Sequence, residues 1–217
     1  MDDIVTRAMA KWPNVPVVYG WLRLDRRGQW SIKVASPGGP VGSPEGAEET
    51  APRFDPVTNR KLIEFIGRNY GHDEEGRWYF QNGPQRVYAT LAYTPLVYRI
   101  VSDHPLTFET HTGAACTSLQ AVWMDEAGNL LLVTERGPGL LADRDLPRGL
   151  EALSYANRHA LEEERLLALI AEGGDAAGVF FNTGAASLPL TLIKSEDVPQ
   201  RMAYLRTPQP PAGAPDC

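Results

Sequence analysis

The stretch that decides the fold reads Trp21-Leu22-Arg23-Leu24-Asp25-Arg26-Arg27-Gly28-Gln29-Trp30. Aspartate at the first position of a type I turn accepts a hydrogen bond from a backbone N–H group two residues on. Glycine at the fourth position adopts a left-handed conformation without steric cost. Because strand-forming residues stand on both sides, the stretch predicts a β-hairpin closed by an acidic turn.

The same turn recurs along the chain, at Asp73…Gly76 and at Asp125…Gly128. A fourth copy, Asp175…Gly178, has no strand-like run before it. The four aspartates are spaced roughly 50 residues apart, a period that indicates an internal repeat of strands and a helix. The alternative is that acidic hairpin turns are common and the spacing is a coincidence. In either case the turn accounts for the carboxylates, so none of them is assigned a catalytic role.

Runs of β-branched and aromatic residues separated by Gly/Pro breaks predict an α+β fold. We expect antiparallel β-hairpins and meander sheets packed with about three helices, arranged as two similar halves if the repeat is real. The predicted division is an N-terminal half 1–101 with a Gly/Pro-rich loop at 36–56, a C-terminal half 102–206 with a long helix 147–171, and a disordered tail 207–217.

Composition excludes several classes of protein. The net charge of −6 comes without a basic block, which argues against a nucleic-acid binder and against docking on an anionic membrane. No stretch is apolar enough to span a bilayer, and the acidic start is unlike a secretion signal. Two cysteines, Cys116 and Cys217, are too few for a disulfide framework. A cytoplasmic protein is therefore expected.

The strongest candidate site is the polar turn between two aromatic strands. Its ligand-binding candidates are Trp78, Asn82, Gln85, Arg86 and Tyr88, together with His72 in the preceding acidic turn. Arg86 could bind a carboxylate or phosphate group between aromatic walls. The alternative is an ordinary hairpin whose polar side chains satisfy turn backbone groups while the aromatic residues fill the core.

No metal site, cofactor or catalytic residue is predicted. The four histidines, His72, His104, His111 and His159, do not stand at metal-ligand spacing with another histidine, cysteine or glutamate. The serines lack the Gly-x-Ser-x-Gly elbow, and the glycine pairs lack the residues of a phosphate loop.

Two groups of motifs resemble a bacterial family known only as a domain of unknown function. They are the opening Met1-Asp2-Asp3-Ile4-Val5 with Ala10-Lys11-Trp12-Pro13-Asn14-Val15-Pro16, and the block Tyr79-Phe80-Gln81-Asn82-Gly83-Pro84-Gln85-Arg86-Val87-Tyr88. The resemblance covers nearly the whole chain up to the tail, although the 36–56 segment is richer in Gly and Pro. The chain is more distantly similar to a second uncharacterised bacterial family, with a two-part α+β fold of repeated motifs and a suggested signalling role. Neither resemblance implies an activity.

Three functions stay open at this point. The first is a non-enzymatic ligand-binding or regulatory protein of the signalling type, whose partner is an unknown small molecule or protein. The second is a structural or interaction module that forms a homodimer through the long helix or a sheet edge. The third is a small hydrolase or transferase, which requires His72, Asp73 and Arg86 to converge on one pocket.

Overall fold

The computed structural model describes residues 1–34, 52–172 and 176–211. This part of the chain is mostly β, with two mixed sheets and five short helices. Buried apolar side chains of both sheets, such as Trp30 and Trp78 from the first and Tyr98 and Met124 from the second, belong to one continuous core. The two sheets are therefore packed against each other.

The first sheet has six strands in the order β3-β2-β1-β6-β5-β4. Its elements in chain order are α1 (Asp3–Lys11), β1 (Val18–Leu24), β2 (Trp30–Lys33), β3 (Phe54–Pro56), α2 (Arg60–Arg68), β4 (Tyr70–His72), β5 (Trp78–Asn82) and β6 (Gln85–Leu91). The side chain of Asn59 caps α2 by accepting a hydrogen bond from the backbone N–H of Leu62 at 3.2 Å. Leu62 and Ile66 are one turn apart, so both lie on the side of α2 that faces the sheet.

The second sheet has eight strands in the order β12-β13-β14-β9-β10-β11-β7-β8. Its elements are β7 (Leu96–Asp103), β8 (Leu106–Thr110), β9 (Leu119–Met124), β10 (Leu130–Thr134), β11 (Gly137–Leu141), α3 (Leu146–Glu151), β12 (Leu153–Tyr155), α4 (Glu163–Glu172), β13 (Val179–Asn182), β14 (Ser187–Leu192) and α5 (Val198–Arg201).

The acidic turns at Asp25, Asp73 and Asp125 have the predicted geometry. In each, one carboxylate oxygen accepts hydrogen bonds from the backbone N–H groups two and four residues on. The pairs are Arg27 and Gln29 for Asp25 (both 2.8 Å), Glu75 and Arg77 for Asp73 (3.2 and 3.0 Å), and Ala127 and Asn129 for Asp125 (3.0 and 2.9 Å). The glycines have φ of +80°, +73° and +77°. These turns join β1 to β2, β4 to β5 and β9 to β10, all antiparallel pairs.

The expected antiparallel hairpins are present, but both sheets are mixed, because three strand pairs are parallel: β1 with β6, β11 with β7, and β14 with β9. The internal repeat is not confirmed. The segment between the first two turns contains α2, whereas the segment between the second and third contains strands and no helix. Asp175, the first residue of the fourth copy, lies outside the described residues.

Several other predicted segment boundaries differ from those in the structure. The predicted long helix 147–171 is wrong, since the chain leaves α3 at Ala152, forms β12 and enters α4 only at Glu163. The end of the predicted 36–56 loop forms β3, while 36–51 lie outside the described residues. The sheets change at residues 92–95, before the predicted boundary at 101. In the predicted disordered tail, 207–211 are described and Pro208 is buried, and 212–217 lie outside the described part.

Within these described ranges, no helix is both long and apolar enough to cross a membrane.

Candidate functional site

Strand alternation divides the predicted site residues between two faces of the first sheet. β5 and β6 pair with Tyr79 opposite Tyr88, Gln81 opposite Arg86, and Asn82 opposite Gln85. Because successive side chains of a strand point to opposite faces, Arg86 and Tyr88 lie on one face while Asn82 and Gln85 lie on the other. The six candidates therefore do not form one site.

Arg86 and Tyr88 belong to a cluster around Asp73. The Tyr88 hydroxyl donates to Asp73 Oδ2 at 2.8 Å, and Arg77 Nε donates to the same oxygen at 2.9 Å. Arg86 Nη1 is 3.9 Å from this oxygen, and its guanidinium lies 4.0 Å from the ring centroid of Tyr79. On its outer side the Tyr88 ring stacks on Tyr19, with centroids 4.7 Å apart.

The charges in this cluster compensate one another. Burial raises the pKa of Asp73, but the hydrogen bonds from Tyr88 and Arg77 outweigh it and leave that pKa below its usual value. Burial also raises the pKa of Tyr88, so its phenol remains a donor. Arg86 faces a carboxylate of the protein itself, which favours the hairpin interpretation of this residue over an anion site.

His72 and Trp78 lie on the opposite face, where the first sheet meets the second. Their rings are 4.9 Å apart, and His72 Nδ1 is 3.0 Å from the backbone oxygen of Asp73 rather than from its carboxylate. Both line a cleft of about 500 Å³ with residues of the second sheet such as Leu96 and Thr110. Arg86 does not line this cleft. His72, Asp73 and Arg86 thus do not converge, and the geometric condition for the hydrolase or transferase hypothesis is not met.

Asn82 and Gln85 line a different cavity, which we call the α2 groove. It measures about 540 Å³ and lies between α2 and the strands β1, β2, β5 and β6. Its lining is Val18, Trp21, Leu22, Ile32, Lys33, Leu62, Ile66, Phe80, Asn82, Gln85 and Val87. The lining is mainly apolar, with one ammonium group and two amides. Such a cavity is typical of small-molecule sites, which combine apolar walls with a few polar groups.

Three large apolar side chains of the groove are open to solvent. Trp21 is 40% exposed, Ile32 42% and Leu62 36%. Single exposed apolar residues are ordinary, but a cluster around a concavity marks an interaction or ligand site. At one end of the groove, Gln85 Nε2 donates to the backbone oxygen of Pro16 at 3.3 Å. This bond joins the start of β6 to the segment before β1, two strands that both line the groove.

A β-bulge in β1 shapes the groove. Val18 pairs with Val87 and Leu22 pairs with Ala89, so the interval between the two pairs is four residues along β1 but only two along β6. Gly20, inside this irregularity, has φ of +70°, a conformation that favours glycine. Bulges redirect side chains locally, and here the redirection leaves both Trp21 and Leu22 in the lining.

A larger cleft of about 760 Å³ lies where the parallel strands β9 and β14 end. Glu126 at its edge is already engaged, because its carboxylate accepts hydrogen bonds from the backbone N–H of Ser195 at 2.8 Å and from its hydroxyl at 2.5 Å. These bonds, that of the hydroxyl first, lower the pKa of Glu126. Lysine, arginine and aspartate side chains are mixed around the rest of this cleft, so its charge selects no ligand class.

Across 1–34, 52–172 and 176–211, no group of three or more His, Cys, Asp or Glu side chains is arranged to hold a metal ion. The absence of a metal and of a cofactor stays a prediction from the sequence.

Comparison with known proteins identifies the family. The family model DUF2944, described as "Protein of unknown function (DUF2946)", matches residues 1–209. The chain belongs to this family. The resemblance read from the opening motif and the Tyr79–Tyr88 block is thereby confirmed. No functionally curated protein matches the chain.

Two solved structures are similar to this DUF2944 protein, and both are described as DUF1285 family proteins. The one from Silicibacter pomeroyi DSS-3 has 15% sequence identity and a TM-score of 0.49, and the match covers 88% of this chain and 96% of that one. The one from Shewanella baltica OS155 has 13% identity and a TM-score of 0.37, covering 57% and 85%.

Sequence reasoning missed most of the groove in this DUF2944 protein. Asn82 and Gln85 were candidates, but Trp21, Ile32 and Leu62 were assigned only to strands and a helix. The amphipathic spacing of Leu62 and Ile66 was a usable signal for the helix wall. The partner strands and the bulge at Gly20 are long-range features, so no local pattern indicated them.

Proposed function

We propose that this protein is a non-enzymatic ligand-binding protein with a regulatory role, and that it binds a small, largely apolar molecule in the α2 groove. The observation that carries the proposal is the groove itself: about 540 Å³ of mainly apolar cavity with exposed Trp21, Ile32 and Leu62 at its surface. Its volume falls within the range of roughly 300–1,000 Å³ that holds small ligands. The predicted cytosolic location is part of the same proposal.

The position of α2 supports a regulatory role. Leu62 and Ile66 line the groove, whereas the next residue, Gly67, lies so close to the turn after β8 that a Cβ there would be 3.1 Å from Thr112 Cβ and from its backbone oxygen. A ligand that displaced α2 would therefore disturb the contact between this helix and the turn after β8. Such an element, whose position depends on occupancy, is what a ligand needs to shift a conformational equilibrium.

Thermal unfolding in the presence of decan-1-ol tests the groove. A ligand that binds the folded state raises the melting temperature in proportion to the logarithm of its concentration over Kd. The informative variant is Leu62→Gln, and Leu167→Gln is its matched control, because Leu167 on α4 is also an exposed helix leucine (57%) but lies outside the groove.

We expect stabilisation of the wild type and of Leu167→Gln, and at least a fivefold weaker affinity in Leu62→Gln. Stabilisation that is equal in both variants would place the alcohol elsewhere. No stabilisation by decanol or by any member of a panel of small apolar metabolites would overturn the proposal.

A second candidate function is the homodimeric interaction module. The same exposed groove residues, or Leu167 on α4, would suit a second copy of the chain. Light scattering after size exclusion separates the candidates: a strict monomer at high concentration removes the dimer, whereas a dimer that Leu62→Gln dissociates would favour it.

A further inference from the structure

The α2 groove contains one charged residue. Lys33 is half-buried, and no aspartate or glutamate belongs to the lining. No carboxylate of the described residues lies within ion-pair distance of its ammonium. The carboxylate on the neighbouring strand, Asp55, is bound to Arg53 at 2.9 Å. In a chain of net charge −6, the lining that the structure describes on this side of the groove carries a positive charge.

Lys33 stands at the rim of the groove rather than on its floor. Ile32 pairs with Leu22, and both point to the face covered by α2, so the next residue of β2 points away from that face. Its ammonium is 5.7 Å from the ring centroid of Trp21, an exposed neighbour on β1. A cation at this distance is attracted to the ring face, and an ammonium has three N–H donors, so donors remain for an anion.

The groove thus has an apolar floor and, at its rim, the single ammonium of Lys33. Leu22, Ile66, Phe80 and Val87 form the floor, and all four are apolar. From Lys33 on β2 the cavity crosses β1 and β6 to Asn82 on β5. Three strand spacings amount to about 14 Å, the length of an extended alkyl chain of roughly ten to twelve carbons.

We propose that the ligand of the α2 groove is an amphipathic anion, a medium-chain carboxylate whose head group binds Lys33 at the rim and whose apolar chain covers the floor towards Asn82. This inference rests on the proposed function, since it names the ligand class of the same groove. The carboxylate supplies the counter-charge that the described lining does not contain, and it stays at the solvent-exposed rim, where its own desolvation is small.

The test compares three ligands of equal chain length: decanoate and decyltrimethylammonium, each below its critical micelle concentration, and decan-1-ol, below its solubility limit in water. Binding is measured by calorimetry at low salt and again at roughly 0.5 M NaCl, where the attraction between opposite charges is strongly screened. The variant is Lys33→Gln. Its matched control is Lys61→Gln, because Lys61 is an exposed lysine on α2 outside the lining.

We expect decanoate to bind at least tenfold more tightly than decanol, and the cation more weakly than decanol. Lys33→Gln should bring decanoate to within about threefold of decanol while leaving decanol unchanged, which also shows that the variant is folded. High salt should reproduce this loss in the wild type, and Lys61→Gln should have no effect.

The outcomes distinguish this inference from the proposed function. If decanol binds in the groove and decanoate binds no better, or if Lys33→Gln does not change the ratio, the groove function stands and the anionic head group is refuted. If none of the three ligands binds, the anionic inference is refuted, and the proposed function fails with it when no member of the apolar panel stabilises the protein either.

Discussion

Asp125 is the residue whose loss we expect to destabilise the fold most among the three turn aspartates. It is 2% exposed. One oxygen accepts hydrogen bonds from the backbone N–H groups of Ala127 and Asn129, at 3.0 and 2.9 Å. The other accepts from the Tyr93 hydroxyl at 2.7 Å and the Asn129 side-chain amide at 2.8 Å. Burial raises the pKa of Tyr93, and its hydrogen bond with Asp125 raises that pKa further, so the phenol stays a donor.

The change Asp125→Ala removes every one of these acceptors. A buried donor left without a partner costs about 1–3 kcal/mol. Ala127 is at the surface, where water can replace the lost acceptor, so the phenol of Tyr93 and the N–H of Asn129 dominate. We therefore expect a loss of about 3–4 kcal/mol in the free energy of unfolding, out of the total of roughly 5–15 kcal/mol typical of a native protein.

Asp25→Ala is the matched control, because the same turn with the same two backbone bonds is exposed there. Water can satisfy both N–H groups, so this change should cost only about 1 kcal/mol. Urea unfolding followed by tryptophan fluorescence, with m-values compared between variants, measures both. Equal costs in the two variants would refute the reasoning, because burial and the Tyr93 bond would then contribute nothing.

Two further predictions concern His111 and Gly76. Burial lowers the pKa of His111 to about 3. As the pH falls below the ordinary histidine pKa, the unfolded state therefore binds a proton that the folded state does not. The free energy of unfolding should decrease as the pH falls from about 6.5 to 3, by at most about 1.4 kcal/mol per pH unit from this group. His111→Asn, which retains an acceptor for the Val97 N–H bonded at 3.2 Å to Nδ1, should flatten that part of the urea-midpoint profile, and an unchanged slope would contradict the assignment. Gly76→Ala should destabilise strongly, because its Cβ would lie 2.3 Å from the backbone oxygen of Ala203 at a φ of +73°. Gly83→Ala, at φ +58° with open space around it, should cost only about 1–2 kcal/mol of backbone strain, and equal losses in urea unfolding would show that the Ala203 contact is unimportant.

Most strands were predictable because their signals are local. Strand-forming runs stand on both sides of the Asp25 turn, for example, and they form β1 and β2. β11 was missed because Gly137-Pro138-Gly139 has the composition of a break. Gly139 is there for contact with a neighbour: a Cβ would lie 2.5 Å from the ring of Tyr98 on the parallel strand β7. This requirement comes from a residue about 40 positions away along the chain, so the local pattern indicated the opposite of strand.

The candidate site was predictable only in part, for a related reason. Two of its residues, Asn82 and Gln85, flank a polar turn between two aromatic strands, and that local composition indicates a candidate site. Alternation along β5 and β6 separates them from Arg86 and Tyr88 once the hairpin register is known. The other walls of the α2 groove come from β1, β2 and α2, whose arrangement depends on the parallel pairing of β1 with β6. Parallel pairing joins segments distant in sequence, and a hairpin pattern does not indicate it.

The acidic turn shows where local sequence stops determining structure. All three copies form the same backbone hydrogen bonds, since these involve only residues of the turn. The second carboxylate oxygen depends on the tertiary environment: it bonds Tyr88 and Arg77 at Asp73, and Tyr93 and Asn129 at Asp125. In each of these two turns the carboxylate is held by groups of the protein itself. The surface without a partner is instead the exposed apolar lining of the α2 groove, on the face of the first sheet that α2 covers. We therefore assign the ligand to the groove and not to the carboxylates.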